Sequence, residues 1–480
     1  MPERLWQALT DPARQALPAL TSGAQTLSYA ELNQAVIARA EQFNALAVQR
    51  LGLYRDNGID WVIDDLAALK AGIVCVPIPL FFTPAQVAHL AQSAGLDTFA
   101  GAAWPGFNKV ASGLWQGAAQ AVPLPQGCAR ITFTSGSTGT PKGVCLSAAQ
   151  LLNVAQALYE VSLPAQVEQH LCLLPLATLL ENVAGVYAPL LAGAHIQVPS
   201  LSALGWQGGG SLEAAAFLSA LAHAQPHSLI LLPQLLKLLV QAAEQQGLAL
   251  PSLRFTAVGG AHVAPALLRR AQALGWPVVE GYGLSEAASV VCLNRLANPQ
   301  LGTVGEPLPH IEVRLAEDGE VLVRGNTFLG YLGDSHAQEP WLATGDIGQW
   351  HGTALQLIGR KKNQFITAFG RNVNPEWVEA ALLQYPGIVQ AWVCGEAVAQ
   401  NRALLVLDEG VSDAHVVAWL AEVNSQLPDY AQVHVWQRAA PFTAANGLLT
   451  ANGRLRRDAL LTRFPLVDLD STAVAAQEHA

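Results

Sequence analysis

The segment ITFTSGSTGTPKGV, residues 131–144, gathers glycines and hydroxyl side chains around one lysine, directly after an apolar run. Glycine lets the backbone approach a polyanion closely, hydroxyls donate hydrogen bonds, and the ammonium supplies the opposite charge. This combination predicts a loop that holds phosphate groups. The residues that would form it are Thr134, Ser135, Gly136, Ser137, Thr138, Gly139, Thr140, Lys142 and Gly143.

The spacing excludes a P-loop, which requires the pattern GxxxxGK followed by Ser or Thr. The fifth residue after Gly136 is Pro141, and Lys142 is followed by Gly143 rather than by a hydroxyl that could bind Mg²⁺. The remaining alternative is a solvent loop without a ligand, since Gly/Ser/Thr clusters are usually loops. Linkers seldom carry an embedded Pro-Lys pair, so we favour the phosphate-binding interpretation.

The same segment resembles the signature of the adenylate-forming (AMP-binding) superfamily, which includes acyl-CoA synthetases, luciferases and the adenylation domains of peptide synthetases. Further segments match this family in the same order, so the resemblance spans roughly residues 27–457. Such ordered agreement is more specific than any single motif. In the family the glycine-rich loop holds the phosphates of ATP, so the resemblance implies ATP as a cofactor.

Two segments are similar to the parts of the family that hold the adenine base. By match, GGA at residues 259–261 faces adenine, while in GYGLSE at residues 281–286 Tyr282 stacks on the base and Glu286 binds Mg²⁺. Taken alone, GGA is equally compatible with a tight turn, and GYGLSE is better explained by a buried tyrosine at a strand end followed by a solvated glutamate. The implied nucleotide-binding residues are Gly259, Gly260, Ala261, Tyr282, Gly283, Leu284 and Ser285.

The resemblance also implies roles for four residues further along the chain. Asp346, in a TGD turn, would accept hydrogen bonds from both ribose hydroxyls, as a carboxylate can. Arg360 would donate to the ribose or a phosphate, and Lys362 lies near the point where the family pivots its small domain. The Gly370 loop would line the route of the pantetheine thiol. Without the other matching motifs, Asp346 would be interpreted as a turn-forming residue and Lys362 as a solvated surface residue.

The chain departs from the family pattern at Arg454, which stands where most members have a lysine that bonds the carboxylate and the phosphate during adenylation. Arginine keeps the charge but changes geometry and desolvation. The predicted catalytic set is therefore Thr134, Lys142, Glu286 and Arg454. With arginine at this position, three outcomes stay open: adenylation at full rate, slow adenylation, or a small domain that no longer takes part in the reaction.

These parts fit a two-step reaction. A carboxylate that attacks the α-phosphate is one anion attacking another, so Mg²⁺ and cationic side chains must neutralise the growing charge. A thiol then attacks the mixed anhydride, and a mobile second domain can supply the different lining that this step needs. We expect an acid–thiol ligase that transfers the acyl group to coenzyme A. The alternatives are transfer to the phosphopantetheine arm of an acyl carrier protein, and an adenylate-binding protein of weak activity.

The acid is expected to be apolar. The segment LPLATLLENVAGVYAPLLAGA, residues 174–194, and NGLLT, residues 446–450, are similar to the long-chain acyl-CoA synthetase branch, which points to a fatty acid. That branch often has His-x-x-Glu-Arg where this chain has Thr178, Glu181 and Asn182, so the chain length of the acid stays open. A plain core helix is the alternative for the longer segment.

The elements that must position these residues follow an α/β pattern. From Val48 onward short apolar runs alternate with amphipathic stretches, with Thr83 and Pro84 opening a helix and Gly95 ending it. The rhythm recurs after the glycine-rich loop, which predicts two parallel-sheet halves. Short strands beyond Glu286 predict a small β-barrel or β-sheet unit. We expect a large N-terminal domain, residues 1–359, and a small mobile α+β domain, residues 360–480.

Composition narrows the class of protein further. Charged residues make up 13% of 480 residues against a typical ~25%, and the formal charge is −10 without a basic stripe, which argues against nucleic acid as a partner. The six cysteines show no metal-binding spacing, so we expect buried thiols in a reduced, cytoplasmic protein. We also expect no signal peptide and no membrane span. A dehydrogenase is excluded because no GxGxxG follows the first strand.

Overall fold

The first sheet has eight strands and a parallel centre. The computed structural model describes residues 2–120, 122–134, 141–207, 211–334, 339–450, 453–465 and 474–475. In spatial order the strands of this sheet are Gly330–Tyr331, Lys142–Ser147, Cys128–Thr134, Val74–Pro77, Arg50–Tyr54, Thr98–Gly101, Leu114–Gln116 and Asn108–Ala111. The four central strands pair in parallel, and the two strands at either edge pair antiparallel.

The second sheet has nine strands, and its six central strands are parallel. In spatial order they are Glu306–Pro307, Ser289–Leu293, Val278–Leu284, Phe255–Val258, Ser228–Leu231, Gln169–Leu171, His195–Gln197, Pro18–Ser22 and Gln25–Ser28. The apolar segments SLILLP, FTAVGG and VVEGYG predict buried strands, and the structure confirms these strands as neighbours in this sheet. A separate hairpin pairs Trp206–Gln207 with Ser211–Leu212.

Helices connect and cover these strands. Thr83 caps the helix Pro84–Ala94 with a full capping box, and Gly95 ends it in the left-handed conformation, as the sequence predicts. Ser147 caps Ala148–Ser162 in the same way. The helices of this part are Pro2–Thr10, Tyr29–Ala45, Ile59–Ala71, Pro84–Ala94, Ala148–Ser162, Leu179–Glu181, the π-helical Asn182–Tyr187, Ala188–Ala192, Ala214–Ala224, Pro233–Gln246 and Pro265–Ala273, with 3₁₀ turns at Leu163–Ala165 and Ser285–Ala287.

The main core lies between the two sheets. Its largest hydrophobic cluster contains strand residues of the first sheet, such as Leu51 and Val144, and of the second sheet, such as Ile196 and Val279. The segment 174–194, which is similar to the long-chain acyl-CoA synthetase branch, contributes Val183 and neighbouring side chains to the same cluster. Because both sheets pack against this one hydrophobic cluster, the cluster sets the distance between the strand ends that carry the predicted motifs.

A third sheet confirms the predicted β-unit after Glu286. Its strands, antiparallel throughout, are Ile311–Leu315, Glu320–Gly325, Leu342–His351 and Ala354–Arg360. The backbone N–H of Val304 donates to the Leu355 carbonyl, and that of Leu355 to Gly305, which joins this sheet to the edge of the second one.

The C-terminal part, meaning the described residues after Arg360, has its own core. Two hydrophobic clusters are drawn from residues 365–436 and 392–460. Its strands are Phe365–Ile366, Asn372–Val373, Ile388–Cys394, Asn401–Leu407, Val433–Arg438 and Val474–Ala475, its helices Pro375–Leu383, Asp413–Gln426 and Arg457–Arg463, and its 3₁₀ turns Lys361–Asn363 and Asp429–Ala431. The sequence predicts helix starts at Asn374, which precedes a proline, and at about Ser412, and the structure confirms both. The domain boundary at 359/360 and the mobility of this part stay predictions.

All six cysteines are free, and all except the partly exposed Cys128 are buried. Within the described ranges, no helix combines the length and the apolar composition that a bilayer crossing requires.

A buried polar network anchors the strand that leads into the glycine-rich loop. Arg130, 2% exposed, pairs with Asp65, which is fully buried on the helix Ile59–Ala71. Tyr187 Oη and Asn182 Nδ2 donate to the other Asp65 oxygen at 2.6 and 3.0 Å. A charge that is buried this deeply is tolerated only with such partners. The network therefore holds Cys128–Thr134 to a helix and to the π-helical turn.

We predict that Asp65→Ala lowers the free energy of unfolding by about 3–5 kcal/mol, because it leaves the Arg130 guanidinium buried without a counter-charge. The matched control is Asp60→Ala on the same helix. Its carboxylate pairs with Arg55 but is 65% exposed, so its loss should change stability by only about 0–1 kcal/mol. Urea denaturation of both variants measures the difference, and equal losses would contradict a role for the network.

Candidate active site

The glycine-rich segment closes a β-hairpin. Strands Cys128–Thr134 and Lys142–Ser147 are antiparallel, and Thr134 lies opposite Lys142. Lys142 therefore begins a strand, whereas the lysine of a P-loop begins a helix. This topology is a second reason, independent of spacing, against the P-loop. The predictions for Ser135, Gly136, Ser137, Thr138 and Gly139 concern positions outside the described residues and stay predictions.

Tyr331 connects Lys142 with Glu286. Its strand, Gly330–Tyr331, pairs with the Lys142 strand, and the Lys142 ammonium lies 5.5 Å from the centre of the Tyr331 ring. Tyr331 Oη donates a 2.8 Å hydrogen bond to Glu286 Oε1. Burial and the adjacent Glu286 carboxylate raise the pKa of Tyr331, so the hydroxyl stays a donor. The structure thus brings together the predicted phosphate-binding lysine and the predicted Mg²⁺ ligand through a residue that no sequence motif marked.

The GGA and GYGLSE segments meet at the carboxyl ends of neighbouring parallel strands. A Cβ on Gly259 would lie 3.0 Å from the Gly281 carbonyl oxygen, and a Cβ on Gly283 only 1.7 Å from the Ser289 carbonyl oxygen. Gly260 has φ +82°. Close backbone approach and a left-handed conformation explain why glycine occupies these positions. The crevice at this edge is where open α/β sheets bind ligands.

Asp346 is in contact with two other predicted nucleotide-binding residues. Tyr282 Oη donates to its Oδ2 at 2.6 Å, and Arg360 Nε lies 2.7 Å from its Oδ1. Burial raises the pKa of Asp346, whereas the Arg360 charge and the Tyr282 hydrogen bond lower it. Three residues that are far apart in sequence, and that the resemblance assigned to base and ribose, are therefore in direct contact.

Arg454 reaches this group from the C-terminal part. Its Nη2 donates to the Gly260 carbonyl oxygen at 3.3 Å. Desolvation and the neighbouring Arg360 charge lower the pKa of Arg454, while the Glu376 and Asp346 charges raise it. The guanidinium is thus placed at the crevice, within the field of the predicted ribose carboxylate.

The remaining predicted residues lie around the crevice or on the surface. Leu284 and Ser285 are partly buried where the strand Val278–Leu284 turns into a 3₁₀ turn, and Ala261 is exposed. Lys362 is exposed in the 3₁₀ turn Lys361–Asn363. Gly370, with φ +71°, lies at the exposed tip of the ribbon formed by Phe365–Ile366 and Asn372–Val373.

Three buried groups of metal-ligating type lie together elsewhere: His170, Cys172 and Glu181, with ligand atoms within 4.8 Å of one another. Cysteine spacing gave no sign of this cluster. Its members have protein partners. Nδ1 of His170 lies 2.8 Å from Ser228 Oγ and Nε2 3.3 Å from Glu181 Oε1, and Glu181 Oε2 accepts from a backbone N–H. Hydrogen bonding within the fold accounts for this group.

The sequence is similar to those of a known protein family and of two curated proteins. The profile of the family described as AMP-binding enzyme matches residues 6–332. The chain is 30% identical over 454 residues to a (methyl-dioxo-octahydro-indenyl)propanoyl:CoA ligase of Mycobacterium tuberculosis, with 82% of this chain and 86% of that protein covered. It is 38% identical over 157 residues to a long-chain-fatty-acid–CoA ligase of Mycobacterium bovis, covering 31% of this chain and 26% of that protein.

The fold is similar to that of the anthranilate CoA ligase AuaEII, solved with anthranoyl-AMP. The TM-score is 0.81 at 18% identity, with 97% of both chains covered. At this identity the likeness concerns the fold alone, and it confirms the predicted architecture.

We predict that Tyr331→Phe weakens Mg²⁺-dependent ATP binding about 10-fold or more, because loss of the hydroxyl frees the Glu286 carboxylate while the ring under Lys142 stays. Tyr331→Leu should also weaken binding at saturating Mg²⁺, since the cation–π contact is lost as well. Calorimetric titration at several Mg²⁺ concentrations separates the two effects. Tyr430→Phe, a partly exposed tyrosine of the C-terminal part, is the control. Unchanged Mg²⁺ dependence in Tyr331→Phe would contradict the assignment.

Proposed function

The chain belongs to the AMP-binding enzyme family, and from this premise we propose that it activates an apolar, fatty carboxylic acid as acyl-AMP and transfers it to coenzyme A. It is an acid–thiol ligase that uses ATP. The observation that carries the proposal is the contact of Tyr282 and Arg360 with Asp346, while Arg454, bound to the Gly260 carbonyl, lies within the field of the same carboxylate. These residues come from the second sheet, the third sheet and the C-terminal part, so a purely structural packing motif is a poor explanation.

In the first step, an oxygen of the acid attacks the α-phosphorus of ATP, and pyrophosphate leaves. The reacting groups are all anionic, so the positive charges that face them decide the rate. Lys142 at the hairpin would hold the phosphates, and Arg454 would meet the acid and the α-phosphate. Asp346 and Arg360 would orient the ribose.

The Glu286 carboxylate fits Mg²⁺, which prefers hard oxygen ligands. The hydrogen bond from Tyr331 orients one of its oxygens. When bound, Mg²⁺ would supply charge neutralisation to the phosphates. Glu286 and Tyr331 then act by holding the metal side of the site in place.

In the second step, the thiol of coenzyme A attacks the acyl carbonyl, and AMP leaves. The exposed ribbon tip at Gly370 would line the route of the pantetheine arm once the C-terminal part has moved. Open space around Gly370 and the 75% exposure of Phe369 support a tip that is available for another surface.

The preference for an apolar acid rests on partly buried apolar side chains, one of which lies on the strand Phe255–Val258 that leads to the Gly260 turn. Leu180, Ala184 and Ala257 are only partly buried, and each packs against two hydrophobic clusters at once. Ala184 belongs to the π-helical turn Asn182–Tyr187, and such turns are frequent at functional sites. The nearby Glu181 and Asn182 are buried in hydrogen bonds, so these positions offer no cation to a second carboxylate. Aliphatic acids suit this lining best.

We predict that the protein releases pyrophosphate with medium- or long-chain fatty acids, and that added coenzyme A increases turnover. A panel of fatty, aromatic and dicarboxylic acids, each with and without coenzyme A, measures both points. Release that responds only to an acyl carrier protein would favour the alternative acceptor. Absence of ATP–pyrophosphate exchange with every acid would favour an adenylate-binding protein of weak activity.

We predict that Arg454→Ala slows acyl-AMP formation by about 10²–10³, a typical loss for one charge-stabilising donor. Transfer from synthetic acyl-AMP to coenzyme A should stay nearly intact, and Arg454→Lys should restore the first step. The control is Arg463→Ala, an exposed arginine at the end of the helix Arg457–Arg463. Equal losses in both steps would contradict a role confined to adenylation.

A further inference from the structure

Lys237, which lies in the part of the chain before Arg360, is bound to the C-terminal part by three hydrogen bonds. It lies on the helix Pro233–Gln246, and its ammonium donates to the carbonyl oxygens of Leu383, Tyr385 and Ile388 at 2.9, 3.4 and 3.0 Å. An ammonium has three protons to donate, so these acceptors use its full capacity. The contact spans about 150 residues of sequence and belongs to no motif of the predicted site.

The acceptors lie at and just beyond the end of the helix Pro375–Leu383. The last carbonyls of a helix lack intrahelical partners and carry partial negative charge, so a cation is the natural partner there. Burial lowers the pKa of Lys237 to about 8, which leaves it protonated at neutral pH. Two other charges act on it: Asp408 favours the ammonium, whereas Arg270, itself paired with Glu244, opposes it.

The first turn of the same helix is held at the crevice. Glu376 Oε2 accepts from the backbone N–H of Arg360 at 3.1 Å, and its Oε1 accepts from Asn363 Nδ2 at 2.6 Å. Arg360 is the residue that contacts Asp346. The helix is therefore attached at one end to the candidate site and at the other end to Lys237.

The middle of the helix is bound to the segment that carries Arg454. Glu379, 7% exposed, accepts two hydrogen bonds from Arg457 at 2.8 and 2.6 Å. A bidentate, largely buried pair of this kind fixes geometry as well as distance. Arg457 follows Arg454 by three residues, so the segment that carries Arg454 is attached to the helix that Lys237 holds.

We propose that Lys237 is a positioning residue for adenylation: it fixes the helix Pro375–Leu383 so that Arg454 is held at the Gly260 turn. This inference rests on the proposed function. A pose in which the C-terminal part has turned for thioester formation would have to break the three Lys237 bonds. Lys237 therefore stabilises the first pose relative to the second.

The test is Lys237→Met, which keeps the aliphatic stem and removes the donors. ATP–pyrophosphate exchange should fall about 10- to 100-fold, as expected for hydrogen bonds to a charged group, mainly in kcat rather than in the KM for ATP. Transfer from synthetic acyl-AMP to coenzyme A should be unchanged or faster. Lys237→Arg should recover part of the loss. Lys109→Met, an exposed lysine of the first sheet, is the matched control.

A double-mutant cycle separates positioning from simple loss of stability. If Lys237 acts through Arg454, Lys237→Met should have little further effect on exchange in an Arg454→Ala background. Independent, additive losses would overturn the proposal, and so would exchange equal to wild type in Lys237→Met.

A distance measurement keeps the proposal testable even if the wild-type protein shows no exchange and the proposed function fails. Spin labels at Gln246→Cys and Gln426→Cys, both exposed positions, report the separation of the helix Pro233–Gln246 from the C-terminal part. Cys128→Ala removes the one partly exposed native thiol. Lys237→Met should broaden the distance distribution relative to Lys109→Met. An unchanged distribution would overturn the proposal.

Discussion

One buried carboxylate joins the principal parts of this protein. Asp346 on the third sheet receives a hydrogen bond from Tyr282 on the second sheet and an ion pair from Arg360, the last residue before the C-terminal part. A charge that is this poorly hydrated needs close partners, so both contacts must form together for the fold to be stable there. The third sheet can therefore not shift against the second without losing them. The orientation of Arg360, and through its backbone that of Glu376, depends on the same carboxylate.

Local signals in the sequence predict the elements well. Capping residues such as Thr83 and Ser147, and the apolar periodicity after them, act within a few positions, so they can be recognised without the fold. The order of the glycine-rich motifs likewise predicts which strand ends meet, because parallel strands share one edge for their carboxyl ends. The contact of Tyr282 with Asp346, however, is not predicted from the sequence, because the resemblance assigns the first residue to the base and the second to the ribose, and neither marks the other in the sequence.

The residues that sequence reasoning missed act over long range. Tyr331 reaches Glu286 because a two-residue strand pairs with the Lys142 strand, and no periodicity announces so short a strand. Lys237 resembles any solvated lysine of an amphipathic helix, and only the tertiary fold brings carbonyl groups to it. The Glu379–Arg457 ion pair likewise has no signal in the sequence. The identity of the acid stays beyond sequence for the same reason, because its lining comes from separate helices and strands whose partial burial is a property of the assembled core.

The hairpin around the glycine-rich loop has a consequence for how this protein can change during evolution. Successive side chains of a strand point to opposite faces, so inserting or deleting one residue between Lys142 and Leu146 would put these two side chains on opposite faces. Either Lys142 would then turn away from the Tyr331 ring or Leu146 would turn away from the core. A change of length in the loop between the two strands leaves the facing of the strand side chains unchanged, because the pairing of Thr134 with Lys142 fixes the register of both strands. Related chains should therefore preserve the number of residues in these two strands.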